Sequence, residues 1–453
     1  MKFPFKCVQN HEFDFKAFSN RTPNIIHFVF ALKEQTEPFS FIHYLSVYSA
    51  YLVNKPLSIY LHHHHTIYGK WWDRLCIDVS ILIINKIEIP THIGNKKIIH
   101  TAHIADKARM DILLEKGGVY MDIDTISCRP YAHLLENHTT LCKQYMLRYK
   151  HTDYGVFSTP YIGGICNAIM LTKPNSSFFK LWMSRYEKAF NPTGWEEASI
   201  WLPLLLANEQ PSIVTVLEPD TFNVPCCWEG RKMFVDTIEA IPKDLLTLHL
   251  CETMSKQYVE SVTGWGWMDE NPNTLYARIM KPLYLKCIIS NNCYGGQYYH
   301  RKNRIYNTPF TGMFMHAHCY IRLLENYKVY MSTEPVRCEK SKYGMIQRGC
   351  VLSLHDVELH YVHDSDVEKC IEKWTRRKGR MYSKEDCDIK LCDRDHFDDQ
   401  LAKRFGELKG YKSKTLFVSN KFKHITYLES VDIIHIDLDQ MPDGCVLEST
   451  HPL

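Results

Sequence analysis

Two aspartates one residue apart, Asp122 and Asp124, fall near the end of the stretch from His100 to Pro130, HTAHIADKARMDILLEKGGVYMDIDTISCRP. Carboxylates spaced this way on a strand share one side, because side chains alternate and Ile123 points the other way. Such a pair forms an oxygen clamp for a hard divalent cation, Mg2+ or Mn2+, that keeps open positions for phosphate oxygens. Upstream, Asp106 and Arg109 lie one helical turn apart and add an acceptor and a fixed cation to the same pocket. A bare Asp-x-Asp is usually a solvated loop. Here a helix, a double glycine and a strand precede it, and that context turns the reading toward metal.

The elements that must position these groups can be read in the same stretch. Ala102 to Lys116 carries good helix formers with apolar residues at Ile104, Ala105, Ala108, Ile112 and Leu113, and Thr101 is placed to cap its start. Gly117-Gly118 stops the helix, since glycine reaches the left-handed conformation of a C-terminal cap. Val119 to Asp124 then reads as a strand that ends in acid.

The whole pattern, A-x-x-x-D-x-x-R followed by G-G-x-Y-x-D-x-D, resembles the sugar-transferase family defined by its DXD motif. That family includes capsule and fungal α-mannosyltransferases and, more distantly, large clostridial glucosylating toxins. The resemblance implies an α/β fold of the GT-A type, a nucleotide-sugar-binding domain on a mixed, mainly parallel sheet. It implies that Asp124 contacts the metal most directly, that Asp122 reaches ribose or metal through water, and that Asp106 and Arg109 hold the donor sugar. Tyr120 joins them as a donor-side candidate.

Thr22 to Phe30 resembles the family's opening strand, whose end touches the nucleotide, so His27 and Phe30 are candidates to lie near the base. A plain core strand is the equal alternative. Tyr161 to Met170 resembles the next strand, in which Asn167 would line the sugar and acceptor side or else satisfy backbone in a turn. His249 stands where relatives carry an H-x-W stretch and is the candidate third metal ligand or phosphate contact, against a satisfied core histidine. The expected Trp is missing there, and Trp265 or Trp267 would have to supply it. Glu196 and Glu197 fall in a glycine-containing loop on the acceptor side.

At 453 residues the chain exceeds one ordinary core, and 45% apolar with 23% charged residues are globular values. A net charge of +3 argues against a dedicated nucleic-acid binder. No stretch is long and apolar enough for a membrane helix, and MKFPFKCVQNHEFDFK lacks the features of a signal peptide. The 17 cysteines, without repeated Cys-x-x-Cys spacing, read as reduced thiols in a cytoplasmic protein. His62 to His65 invites a metal reading, but successive strand side chains alternate, so at most two share a face. A mixed surface and pocket edge explains the run better.

Phe39 to Val53 suits a helix and Leu57 to Leu61 a strand; Trp71 and Trp72 start another helix. Met268 to Asn273 has the composition of a turn and is the best break in the chain. Domains are expected over 1–282 and 283–453, the second also α/β. From about 285 to 435 the chain resembles an uncharacterised family encoded among exopolysaccharide biosynthesis genes, which implies a glycan setting but no mechanism. Bottom-up, Asp356, Glu358 and His360 alternate on a strand and would share a face suited to metal or proton exchange. Arg376 and Arg380, with Lys373 and Arg377, give a basic helix suited to phosphate or simply to solvent. Cys293, beside Asn292 and two glycines, is a candidate nucleophile or a buried thiol. Asp393-Arg394-Asp395 lacks the helix and glycine context of a second DXD.

The sequence thus reads as a metal-dependent glycosyltransferase taking a UDP- or GDP-sugar to a glycan acceptor with retention. The alternatives are a second transferase or phosphotransferase site in the C-terminal domain, or an inert-site glycan- or nucleotide-binding protein.

Overall fold

The structure, a computed structural model, describes residues 15, 20–152, 155–343 and 349–452, with the side chains of 150–157 set aside. The opening segment read above for a leader falls outside the described residues, apart from Phe15. The chain divides into two compact units, 1–284 and 285–453.

The first unit is built on a seven-stranded sheet in the order β10-β8-β9-β6-β1-β2-β3. Its strands are β1 (Ile25–Val29), β2 (Ser58–His63), β3 (Leu82–Lys86), β6 (Gly118–Met121), β8 (Thr139–Thr152), β9 (Gly155–Thr172) and β10 (Thr215–Leu217). The pairs β1–β2, β2–β3, β1–β6 and β8–β10 are parallel, while β9 runs antiparallel to both β6 and β8. Two short hairpin strands, β4 (His92–Ile93) and β5 (Lys96–Lys97), precede the central helix. A separate two-stranded pair joins β7 (Thr125–Ser127) to β11 (Thr247–His249).

Strand β1 is buried at every position, as a parallel strand covered on both faces must be. Helix α1 (Phe41–Asn54) starts from Ser40, whose hydroxyl accepts from His43 N–H while the His43 ring accepts from Ser40 N–H. That reciprocal pairing fixes the first turn. Helix α2 is Lys70–Asp78, α3 Thr101–Lys116, α4 Ser177–Ala189 and α5 Leu202–Glu209.

Helix α3 and its glycine stop stand as expected. Its cap residue is His100, without a side-chain capping bond, so Thr101 is the first helical residue instead of the cap. Gly117 and Gly118 both have positive φ, +63° and +104°. A Cβ on Gly117 would meet Pro174 N at 2.5 Å, and one on Gly118 would meet Ile25 O at 2.6 Å. Glycine is therefore required here by conformation and by close backbone approach. Of the turn expected over 268–273, only 271–273 bends, since Gly266–Glu270 is helical and Met268 is buried; the units divide farther on, after Tyr284.

The second unit has a four-stranded parallel sheet, β12-β16-β17-β18, and a three-stranded antiparallel sheet, β13-β14-β15. These strands are β12 (Cys287–Ser290), β13 (Val336–Arg337), β14 (Cys350–Leu354), β15 (Val357–Tyr361), β16 (Cys387–Cys392), β17 (Ser413–Val418) and β18 (Asp432–His435). Both units are α/β, each with its own buried core. Among the described residues no helix is long and apolar enough to cross a membrane.

Candidate functional site

Strand β6 ends at Met121, one residue before the acids. Asp122, Ile123 and Asp124 form a turn closed by Thr125, whose N–H and hydroxyl both donate to Asp122 O (3.1 and 2.7 Å). Strand alternation therefore does not bring the carboxylates together; the turn does. The chain then enters β7, which pairs with β11 and sets His249 opposite Thr125. Asp122, Asp124 and His249 thereby present ligand atoms all within 4.8 Å of one another.

Each acid is held differently. Asp124 Oδ2 accepts from Glu252 N–H (2.8 Å), and its Oδ1 lies 3.4 Å from His249 Nε2. Burial pushes the Asp124 carboxyl up, but His249, the Glu252 amide and His43 outweigh it and hold it down at about 2. Burial likewise pushes His249 down, and the Asp124 carboxylate outweighs it, raising the imidazole well above its ordinary range. Asp122 accepts from the Tyr120 hydroxyl (2.7 Å) and stands 3.2 Å from the Arg109 guanidinium. Its carboxyl is raised by burial, an effect Arg109 offsets only in part.

Arg109 is the hub on the other side. It donates to Asp122 (3.3 Å) and to the backbone oxygens of Asn167 (2.9 Å) and Ala105 (3.3 Å), and lies over the Tyr120 ring at 4.6 Å. Burial opposes its charge, but Asp122, Tyr120 and Asp106 outweigh that and hold it firmly protonated. Asp106 Oδ1 accepts from the Asn167 side-chain amide (2.7 Å) and lies 3.5 Å from the guanidinium. Asp106, Arg109, Tyr120, Asp122 and Asn167 thus form one connected network.

The donor set suits the expected ion. Two carboxylates and an imidazole within one ligand sphere fit Mn2+ or Mg2+, and their side chains keep 14 to 24% exposure. Beside them opens a cavity of about 270 Å³, lined by Tyr145, Cys166, Glu196, Trp228, His249 and Cys251 among others. Its wall includes a disulfide, Cys227–Cys251, where the sequence read reduced thiols. Glu196 is raised by burial; Glu197 instead accepts from the Asn191 amide.

His27 is wholly buried, 3.0 Å from both His62 Nε2 and Gly117 O, as the core-strand alternative expects. His62 in turn lies 2.9 Å from the Asn85 amide. A one-way chain of donors, Asn85 to His62 to His27 to Gly117, accounts for both rings as neutral imidazoles. His63 and His64 bond the carbonyls of His65 and Ile87, so the tetrad serves the fold. Phe30, half-buried at the end of β1, packs on Phe39 and on His43, whose Nε2 lies 2.9 Å from Glu252. Trp265 packs on Phe41, and Trp267 on Tyr276. Nothing in the sequence pointed to His43 or Glu252, because only folding joins residues 209 positions apart beside Asp124.

In the second unit the proposed strand face breaks up. Asp356 precedes β15 and pairs with Arg322 and the Tyr330 hydroxyl, away from buried Glu358 and His360, which lie 3.3 Å apart. The basic helix, Val367–Lys378, is not a bare cationic face: Lys373 pairs with Asp364 and Arg376 with Glu372. Arg377 donates to Thr311 O (2.7 Å) and lies over the Tyr306 ring. Arg380 follows the helix and is also engaged. Burial pushes the Cys293 thiol up to about 11, which disfavours a thiolate nucleophile. The Asn292 amide donates to Cys392 Sγ (3.1 Å), so it braces the strand ends. Asp393 accepts from the N–H and hydroxyl of Ser419 and builds no second motif. The sequence did not reveal a cluster in which His316 lies about 5 Å, ring to ring, from both His360 and His396, with Tyr343 beside it.

Residues 58–141 match the family model described as glycosyltransferase sugar-binding region containing DXD motif. Over that stretch the chain matches the DXD-motif glycosyltransferases. It contains Asp106, Arg109, Tyr120, Asp122 and Asp124, but not Asn167 or His249. Residues 277–437 match a domain of unknown function. A relative in Cryptococcus neoformans var. grubii serotype A, glucan organizing enzyme 1, is 32% identical over 216 residues, 47% of this chain and 56% of that protein. The chain thus spans little more than half of that relative. An uncharacterized protein of Haemophilus influenzae is 29% identical over 151 residues, 32% of this chain and 68% of that protein. The apo-form glycosyltransferase GlyE of Streptococcus pneumoniae TIGR4 aligns over 91% of this chain and 96% of its own, at 12% identity and a TM-score of 0.30.

Proposed function

We propose that the first unit is a metal-dependent glycosyltransferase of GT-A type that moves a sugar from a nucleoside diphosphate to a glycan acceptor. The observation that carries the reading is the junction of two linked groups, Asp122–Asp124–His249 and Asp106–Arg109–Asn167, beside one cavity. Asp122, Asp124 and His249 would hold Mn2+ or Mg2+, which when bound supplies Lewis-acid neutralisation of the departing diphosphate. Arg109, fixed by the carboxylate and carbonyl acceptors around it and charged at all accessible pH, sets a preorganised positive centre next to that position. Asp106, oriented by the Asn167 amide, offers an acceptor for donor-sugar hydroxyls. Glu196, Tyr145 and Trp228 line the same cavity as His249, where an acceptor sugar would stack and hydrogen-bond. Retention at the anomeric carbon follows from the family resemblance, and no general base is assigned.

The test is release of UDP or GDP from a panel of sugar nucleotides with and without Mn2+. One donor is expected to be turned over in a metal-dependent way, and Asp124→Asn to lose at least about a hundredfold, as for removal of one preorganised charge-stabilising group. Donor binding without release would favour an inert-site binding protein. Neither release nor a thermal shift with any donor would overturn the reading.

A further inference from the structure

His249 belongs to two ligand sets at once. One is the carboxylate set with Asp122 and Asp124; the other is Cys227, His249 and Cys251, whose ligand atoms also lie within 4.8 Å of one another. The two cysteines are joined as a disulfide, 24 residues apart in sequence with Cα atoms 5.3 Å apart, and both line the cavity beside His249. The thiol set is held by different elements: Cys251 follows β11 by two residues, and Cys227 sits in the segment between β10 and the helix Gly230–Phe234. The two sets differ in chemistry. Carboxylates and one imidazole suit a hard ion, while two thiolates and one imidazole select a soft one such as Zn2+.

We propose that reduction of the Cys227–Cys251 bond creates a zinc site, Cys227–His249–Cys251, which withdraws His249 from the carboxylates. The part concerning His249 rests on the transferase reading above; the thiol site does not. The reduction balances with a dithiol as co-reactant: the Cys227–Cys251 bond breaks, the dithiol closes to its own disulfide, and its two protons and two electrons leave two protein thiols. Binding Zn2+ then releases both thiol protons to solvent. Three protein ligands leave a fourth position facing the cavity, as in open zinc sites. With the disulfide formed the soft set does not exist, and His249 keeps its Nε2 3.4 Å from Asp124 and its Nδ1 4.0 Å from the Cys166 thiol. Metal choice at this wall therefore follows the redox state of one bond.

The experiment titrates Co2+ into the full chain, oxidised and dithiol-reduced under argon, and reads the thiolate-to-cobalt charge-transfer absorption. Reduced protein is expected to show it with tetrahedral d–d bands at one equivalent, bleached by Zn2+. Oxidised protein and Cys227→Ser are expected to lack it. No charge-transfer band in reduced protein, or an undiminished one in Cys227→Ser, overturns the proposal. Mn2+ binding followed by electron paramagnetic resonance separates the two readings. If the thiol site forms but oxidised protein binds no Mn2+, the transferase metal reading fails and the zinc site stands. Loss of bound Mn2+ from reduced protein on adding Zn2+ is expected, and its retention overturns the shared role of His249.

Discussion

At the scale of single residues the site depends on charges that are buried and paired. Arg109 is only 7% exposed at its side chain and serves Asp106, Asp122 and two backbone carbonyls. Arg109→Ala would strand both carboxylates in a buried setting and is expected to cost about 3–5 kcal/mol, measured by urea unfolding. Arg109→Lys keeps the charge but not the planar fork, so it should unfold less easily than the alanine variant while still failing to turn over donor. If both variants unfold at the wild-type midpoint, the network is not structural. The chemical types at Asp106, Arg109, Asp122 and Asp124 were legible in sequence because their spacing is local. His43, Glu252 and the Cys227–Cys251 bond were not, since no short-range pattern joins residues drawn together by β7 and β11.

At the scale of elements, the turn that carries Asp122 and Asp124 is fixed from behind. The α3 cap at Gly117 gives its carbonyl to His27, and Gly118 lies so close to Ile25 that a methyl group would strike its backbone oxygen. Gly118→Ala should therefore destabilise the first unit by about 1–3 kcal/mol, strain plus displacement, read as a lowered Tm. It should also weaken Mn2+ binding, because the turn follows four residues later; an unchanged Tm would mean that β1 and β6 are not in such close contact. For His27 the strand motif left two readings open, a contact to the base and a plain core strand, and the structure takes the second. The sheet turns its ring inward onto Gly117, a choice of face that a buried strand, apolar on both sides, does not reveal. Asp356 departs from its reading: the strand starts one residue later than the alternation implied, and the acid falls in the turn.

At the scale of the whole molecule, both units bury neutral histidines. Burial pushes His27 down to about 3 and, with neighbouring imidazoles, His316 down to about 4, from an ordinary 6.5. The unfolded chain therefore binds protons between pH 6.5 and those values while the folded chain does not. Stability from these groups is fully present above about pH 6.5 and is lost as pH falls toward 4. For His27, buried throughout, the loss is on the order of 3 kcal/mol by pH 4. Urea midpoints measured from pH 7 to pH 4 should fall, and less steeply in His27→Gln; a flat profile would show that neither ring is held neutral.

Local rules read from the sequence determined α3, its glycine stop and the acidic pair, because apolar periodicity and turn chemistry act over a few residues, while the mainly parallel α/β character came from the family resemblance of the motif. The tertiary structure alone decided which acids meet His249, that His62 lies in the core while His63 and His64 bond backbone carbonyls, that Lys373 and Arg376 of the basic helix find acids, and that Cys227 meets Cys251. Each of those outcomes depends on contacts between segments far apart in sequence, and the energy of such contacts is set by packing, which no local spacing encodes.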